Sequence, residues 1–260
     1  MKLGLKSGMD FIQVRERLKY NPKTFEFHLT WDDLYNMNGL DEKIKFLYSS
    51  GVDNVILHQP KYKSKGNYFN LYTKEYISHI NFSTNFLSNI CNENINTKII
   101  IHPFYEHESK QSIDITEELQ NISEYIELLK TYSDNILYEN GISDTLSYHN
   151  EQMIDFIIDN DLPISYDISN AYISCNGDME LLINSLNKLK NNIKNYHIAD
   201  SDGFSHNKLE LGAGTIDWIR VLNSLNDEAT VVFEIDLDDN YNCKPMINSF
   251  KFLEDKKTEL

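Results

Sequence analysis

The sequence predicts an α/β protein, a (β/α)8 TIM barrel closed from eight parallel strands. Three observations carry this expectation. Eight short apolar or β-branched runs alternate with longer amphipathic stretches. The chain has 260 residues, a length at which such barrels commonly occur. The side chains that end six successive runs are His, His, Glu, Asp, His and Glu, and a barrel collects its strand ends in one cleft.

The expected strands are 2–6, 24–29, 54–58, 97–102, 135–139, 163–167, 195–199 and 230–235. Helices are expected over 9–19, 40–50, 72–90, 113–131, 147–159, 178–191, 216–225 and 244–255. The stretch from 40 follows Gly39, and that from 147 begins at a serine with amide and acidic residues behind it, both plausible helix starts. Crossovers between parallel strands are right-handed, so this alternation lays helices over a sheet, and eight units close most simply into a barrel. A doubly wound open sheet is the alternative, but it normally carries a glycine-rich phosphate loop after its first strand, and Lys6-Ser7-Gly8-Met9 is not one. No internal repeat or linker interrupts the pattern, so one domain over 1–260 is expected.

The formal net charge is −16, with lysines and arginines scattered. Such a balance repels a phosphate backbone unless a basic stripe or bound metal reverses the field, so nucleic acid is not an expected partner. Cys91, Cys175 and Cys243 share no metal-type spacing and read as free thiols of a reducing cytoplasm. No apolar run approaches the roughly 20 residues of a membrane span. A cytoplasmic protein without membrane attachment is expected, as a monomer or homo-oligomer.

The chemistry lies at the run ends: Val-Ile-Leu-His58, Ile-Ile-Ile-His102, Ile-Leu-Tyr-Glu139, Ile-Ser-Tyr-Asp167, Tyr-His197-Ile-Ala-Asp200 and Val-Val-Phe-Glu234. Any one of these is ordinarily a hydrogen-bonded rim residue. Three carboxylates brought to one cleft repel one another, and a cation relieves that repulsion. Imidazole and carboxylate together suit Zn²⁺, Mn²⁺, Co²⁺ or Fe²⁺ better than Ca²⁺, and Mg²⁺ stays among the candidates. Asp200, Asp202 and His206 are expected to line the cleft or orient His197. Gly212-Ala-Gly214 reads as a tight turn rather than a phosphate cradle. Tyr105, Tyr138, Tyr166, Phe204 and Trp218 are candidate apolar walls, His28 a candidate rim residue, and His79, His107 and His149 are expected to be solvated.

These motifs resemble the xylose-isomerase-like barrel superfamily, which holds sugar-phosphate isomerases and epimerases together with metal-dependent apurinic-site endonucleases. The resemblance runs from Phe25-Glu26-Phe27 to Phe233-Glu234, most specifically through Tyr-Glu139-Asn140-Gly, Tyr-Asp167-Ile-Ser-Asn170-Ala and His197-Ile-Ala-Asp200-Ser201-Asp202-Gly203 on to Leu211-Gly212-Ala-Gly214-Thr-Ile-Asp217-Trp218. It implies that Glu139, Asp167, His197 and Glu234 bind a central divalent metal, that Glu139 and Glu234 are an acid/base pair, and that His58 and His102 add a second metal bridged by Glu139. Two departures stand out. Asn170 replaces a histidine that contacts substrate or a third metal, leaving Asn170 as a candidate substrate contact. The segment Phe204-Ser205-His206 replaces an Asp-x-His pair.

Three functions follow. A metal-dependent isomerase or epimerase of a small sugar or sugar phosphate would move a proton through an enediolate. A phosphoesterase or endonuclease-like hydrolase would use one or two metals on a phosphoester. A ligand-binding barrel, or a lyase or dehydratase on the same scaffold, is the third, because this fold hosts many chemistries.

Overall fold

The structure is a computed structural model that describes residues 1–35, 39–60, 62–64, 67–68, 71, 77–94, 96–103, 114–143 and 145–259. The strands are β1 (Gly4–Ser7), β2 (Thr24–His28), β3 (Asn54–His58), β4 (Tyr62–Ser64), β5 (Asn67–Tyr68), β6 (Thr97–Ile101), β7 (Ile136–Glu139), β8 (Ile164–Asp167), β9 (Ile193–Ile198) and β10 (Thr230–Phe233). Eight of them close a barrel in the order β1-β10-β9-β8-β7-β6-β3-β2, every neighbour parallel. β4 and β5 form a separate antiparallel pair.

The described helices are α1 (Phe11–Leu18), α2 (Trp31–Tyr35), α3 (Leu40–Ser49), α4 (Ile77–Glu93), α5 (Ile115–Lys130), α6 (Glu151–Asp159), α7 (Ile168–Ser174), α8 (Met179–Leu189), α9 (Trp218–Ser224) and α10 (Lys244–Lys257). Asp10, Asp114, Asn150, Asp178 and Asp217 each accept two backbone N–H groups at a helix start, which satisfies donors the helix itself cannot pair. The expected start at Ser147 gives way to this chemistry, because the cap is Asn150. Helices α2 and α7 are additions to the expected eight. The expected residues 72–76 and 113 of two helices lie outside the described residues. Among those described, no helix is long and apolar enough to cross a membrane.

Alternation along the strands sorts the side chains, since successive residues face opposite sides of a sheet. Leu5, Phe25, Phe27, Val55, Leu57, Ile99, Ile101, Ile164, Tyr166, Tyr196, Ile198 and Phe233 belong to the large core that the barrel shares with its helices. Ile56, Ile100, Leu137 and Val232 form a small cluster of their own. Each stands two residues before a polar strand end, namely His58, His102, Glu139 and Glu234. The barrel interior therefore has an apolar floor directly beneath a polar layer.

Candidate metal centre

The structure brings six of the expected residues together. Glu139, Asp167, His197 and Glu234 each offer a ligand atom within 4.8 Å of the others, as do His58, His102 and Glu139. His58, Glu139 and Asp167 are the last residues of β3, β7 and β8, and His102 and Glu234 directly follow β6 and β10. Register pairs Asp167 directly with His197, while Glu234 stands two residues beyond Val232, the β10 partner of His197.

His197 is the hub. Its Nδ1 lies 2.8 Å from Glu139 Oε1 and 3.0 Å from Glu234 Oε2. Its Nε2 lies 2.6 Å from Glu26 Oε2, an arrangement in which a carboxylate fixes the ring orientation of a metal-ligating histidine. On the other side of Glu139, Oε2 is 3.0 Å from His58 Nε2 and 3.5 Å from His102 Nε2, while the two imidazole nitrogens are 3.2 Å apart. His58 Nδ1 meets the Gln59 carbonyl at 3.0 Å. The edges of the His58, His102 and Glu139 triangle, 3.0, 3.5 and 3.2 Å, are close to the edges of about 3.3–3.6 Å that tetrahedral bonds of about 2.0–2.2 Å produce. These donor sets suit a divalent metal, and two buried oxygens, Glu26 Oε1 and Asn170 Oδ1, have no hydrogen-bond partner among the described residues.

Sequence reasoning missed Glu26, Lys6 and Lys208. Lys208 Nζ donates to Asp167 Oδ2, and to Glu234 Oε2 at 2.7 Å, while Lys6 Nζ donates to Glu234 Oε1. Lys6 and Glu26 pair in register on β1 and β2. The signal for both was alternation: Glu26 stands between the core residues Phe25 and Phe27, and Lys6 follows the core residue Leu5, so each faces the barrel axis. Lys208 gave no signal, because an irregular segment has no periodicity.

Charge and burial set the protonation states together. Burial would raise the Glu139 carboxyl, but the neighbouring His197, His102 and His58 outweigh it and hold it well below the usual range. Burial likewise opposes ionisation of Glu234, and Lys208, Lys6 and His197 overcome it. For His197 burial favours the neutral ring, yet Glu139, Glu26 and Glu234 push it well above its ordinary value. The two carboxylates therefore stabilise the metal-free fold above pH 4.5, and that contribution is lost as pH falls through their depressed values. The His197 contribution is complete below pH 6.5 and is lost as pH rises through its raised value. Chelator-treated protein is thus expected to show its highest urea midpoint between pH 4.5 and 6.5. A midpoint that climbs steadily to pH 9 would contradict this.

The expected substrate contacts are placed differently from one another. Asn170 is buried near the start of α7, with its N–H on Asp167 Oδ1 at 2.9 Å and its Nδ2 on the Asn140 carbonyl at 3.2 Å. Asp200 is buried and accepts from Gly212 N–H at 2.8 Å, Ile216 N–H at 3.3 Å and Trp218 Nε1 at 3.1 Å. A Cβ at Gly214 would lie 2.4 Å from Asp200 Oδ1, so the Gly212–Gly214 turn folds onto this carboxylate. Asp200→Ala is expected to lower unfolding free energy by about 3 kcal/mol, since it strands several buried donors; a urea melt showing a loss below about 1 kcal/mol would contradict this fastening role. His206 sits exposed on the loop after β9.

Other side chains differ from expectation. Tyr138, Tyr166 and Trp218 are core, Phe204 is exposed, and Tyr105 and His107 lie outside the described residues. His79 is half-buried against Trp31 and His149 is half-buried with its ring 2.9 Å from Ser147 Oγ, so neither is simply solvated. The His28 ring lies 4.9 Å from that of His58. The three cysteines are free and buried, with thiols pushed up to about 12 by burial, which makes them inert.

Two cavities flank the centre. One of 540 Å³ is lined by Lys6, Arg17, His28, Thr30 and Asp236, and one of 430 Å³ by Lys208, Glu210, Asp236 and Asp239. A third, of 450 Å³, lies by Thr24, Asn54 and Thr230 at the opposite end of the strands, where barrels do not carry their chemistry.

No family model matches the chain, and no curated protein does. Solved structures do. The chain is similar to a D-tagatose 3-epimerase-like protein at 19% identity and TM-score 0.72, covering 99% of this chain and 97% of that one. It is similar to a Thermus thermophilus protein whose crystal was soaked with ZnCl2, at 17% identity and TM-score 0.71, covering 100% and 99%. A xylose isomerase domain protein from Planctomyces limnophilus matches at 15% identity and TM-score 0.71, covering 99% and 97%. These likenesses show the fold, a closed (β/α)8 barrel, as the alternation of runs in the sequence predicted.

Proposed function

We propose that the protein is a divalent-metal-dependent isomerase or epimerase of a small sugar or sugar phosphate. The observation that carries this reading is the pair Glu139 and Glu234, which reach one buried position from β7 and β10 and flank His197 Nδ1 at 2.8 and 3.0 Å. Glu139, Asp167, His197 and Glu234 would hold one ion, with His58, His102 and Glu139 as a further position. A divalent ion there supplies positive charge that polarises a substrate carbonyl.

The chain's own groups do the rest. Glu139 and Glu234 take and return a proton at the carbon next to that carbonyl. Both are weak bases by their depressed pKa, so the reading relies on held proximity rather than basicity. Lys6 stands at the boundary between Glu234 and the 540 Å³ cavity, within the size range of small-molecule sites. The names of the similar structures, an epimerase-like protein and a xylose isomerase domain protein, support the same substrate class.

The His58–His102–Glu139 triangle favours a second reading, hydrolysis of a small phosphoester at paired metals. One experiment separates the two. In deuterated water, a panel of pentoses, hexoses and their phosphates is expected to gain deuterium next to the carbonyl. Label from H₂¹⁸O appearing in released phosphate or alcohol, without deuterium on carbon, would overturn the isomerase reading.

A further inference from the structure

We propose that Lys208 is a built-in cation that competes with a divalent ion for Asp167 and Glu234. The His58–His102–Glu139 position then fills first, and the Glu139–Asp167–His197–Glu234 position fills only when the amine leaves. The inference rests on the reading of this centre as a divalent-ion site and is independent of the reaction that follows.

The carboxylate oxygens leave little choice. Asp167 Oδ1 accepts from the Ser169 hydroxyl at 2.8 Å and from Asn170 N–H at 2.9 Å, as the cap of α7. Glu234 Oε1 accepts from Lys6. The oxygens that remain for an ion are Asp167 Oδ2 and Glu234 Oε2, and Lys208 holds both. An ammonium is a compact point charge with three donors, so it satisfies two carboxylates much as a small cation does. A divalent ion and an ammonium on the same two oxygens repel each other at short range in a buried site. The triangle of His58, His102 and Glu139 is different. Its three ligand atoms lie 3.0, 3.2 and 3.5 Å apart, close to the spacing of a tetrahedral face, and the hydrogen bonds of Lys208 go to Asp167 and Glu234 instead.

Lys208 is also able to leave. Its backbone is pinned, with Lys208 N–H on Asp236 Oδ2 at 3.0 Å and Asp236 N–H on the Lys208 carbonyl at 2.9 Å. Lys208 is among the residues that line the 430 Å³ cavity, so rotation of the flexible stem can move the charge without moving the loop.

Chelator-treated protein titrated with Co²⁺, followed by calorimetry and visible absorbance, tests this without any substrate. Wild type is expected to show one tight equivalent and a second at least about tenfold weaker. His102→Ala should remove the tight step and Asp167→Asn the weak one. Lys208→Met should tighten the second step by about tenfold or more and leave the first alone, while Lys208→Arg keeps the wild-type pattern. Should Lys208→Met fail to fold when stripped, it is refolded with Co²⁺ and counted after gel filtration, where two equivalents support the proposal and one overturns it. Two equally tight steps in wild type, a tight step lost in Asp167→Asn, or an unchanged second step in Lys208→Met would each overturn it. No binding in any variant would overturn it together with the metal reading, whereas the expected titration without isotope exchange would leave Lys208 in place and remove only the isomerase.

Discussion

Glu139→Gln is expected to abolish turnover, with a loss of at least about 10³-fold, and to empty both ion positions. The two oxygens of Glu139 serve different partners. Oε1 faces His197 and Oε2 faces His58 and His102. Glutamine keeps one oxygen of the two and replaces the other with a donor, which must point at an imidazole that also needs an acceptor or a cation. Metal content by mass spectrometry should fall well below one equivalent after gel filtration. Stability should change in a characteristic way as well. The proton on His197 is held chiefly by Glu139, with Glu26 and Glu234 behind it, so the variant should lose part of the acid-side stabilisation that His197 gives the metal-free chain. A Glu139→Gln protein that keeps a full equivalent of metal and loses activity alone would restrict Glu139 to proton transfer. One that keeps both would remove it from the centre.

What could be read from the sequence was whatever local periodicity encodes. The runs ending in His58, His102, Glu139, Asp167 and Glu234 each switch from apolar to polar at one residue, and a closed parallel barrel gathers those strand ends into one cluster of side chains. The helix starts expected at 9, 113 and 178 come within one residue of the caps Asp10, Asp114 and Asp178, because a capping carboxylate is a local interaction. The start at Asn150 was not legible, because Ser147 is also a good cap and the choice is made by how the β7–α6 loop packs. Tyr148, for example, donates to the Tyr138 carbonyl at 2.8 Å. Lys208 and the fastening role of Asp200 depend on loop geometry after β9, where Gly203 at φ +86 passes so close to Gly177 that a Cβ would sit 2.6 Å from its Cα. No spacing rule reports a contact of that kind. It is set by long-range packing, and the lysine that neutralises two of the expected ligands arrives through it.

Glu234→Gln tests the other half of the pair, and its expected loss is about 10² to 10⁴ in rate, the range that a positioned acid or base contributes. The variant carries a structural cost that must be measured with it. Glu234 receives both Lys6 and Lys208, and removing one partner of a buried ion pair destabilises by about 3–5 kcal/mol. The thermal midpoint should therefore drop, and Lys208 should be left with Asp167 alone. Adding Lys208→Met to Glu234→Gln removes the excess positive charge, leaving Lys6 and Asp167 as one charge of each sign, so the double variant should regain part of that midpoint. It should not regain the rate, because the base is still missing. That split separates chemistry from folding: stability follows the charge balance among Lys6, Lys208, Asp167 and Glu234, while turnover follows the carboxylate. Metal should remain at His58, His102 and Glu139, where Glu234 supplies no ligand. If the double variant recovered rate and midpoint together, Glu234 would be an electrostatic support for the lysines, and proton transfer would have to be assigned to Glu139 alone.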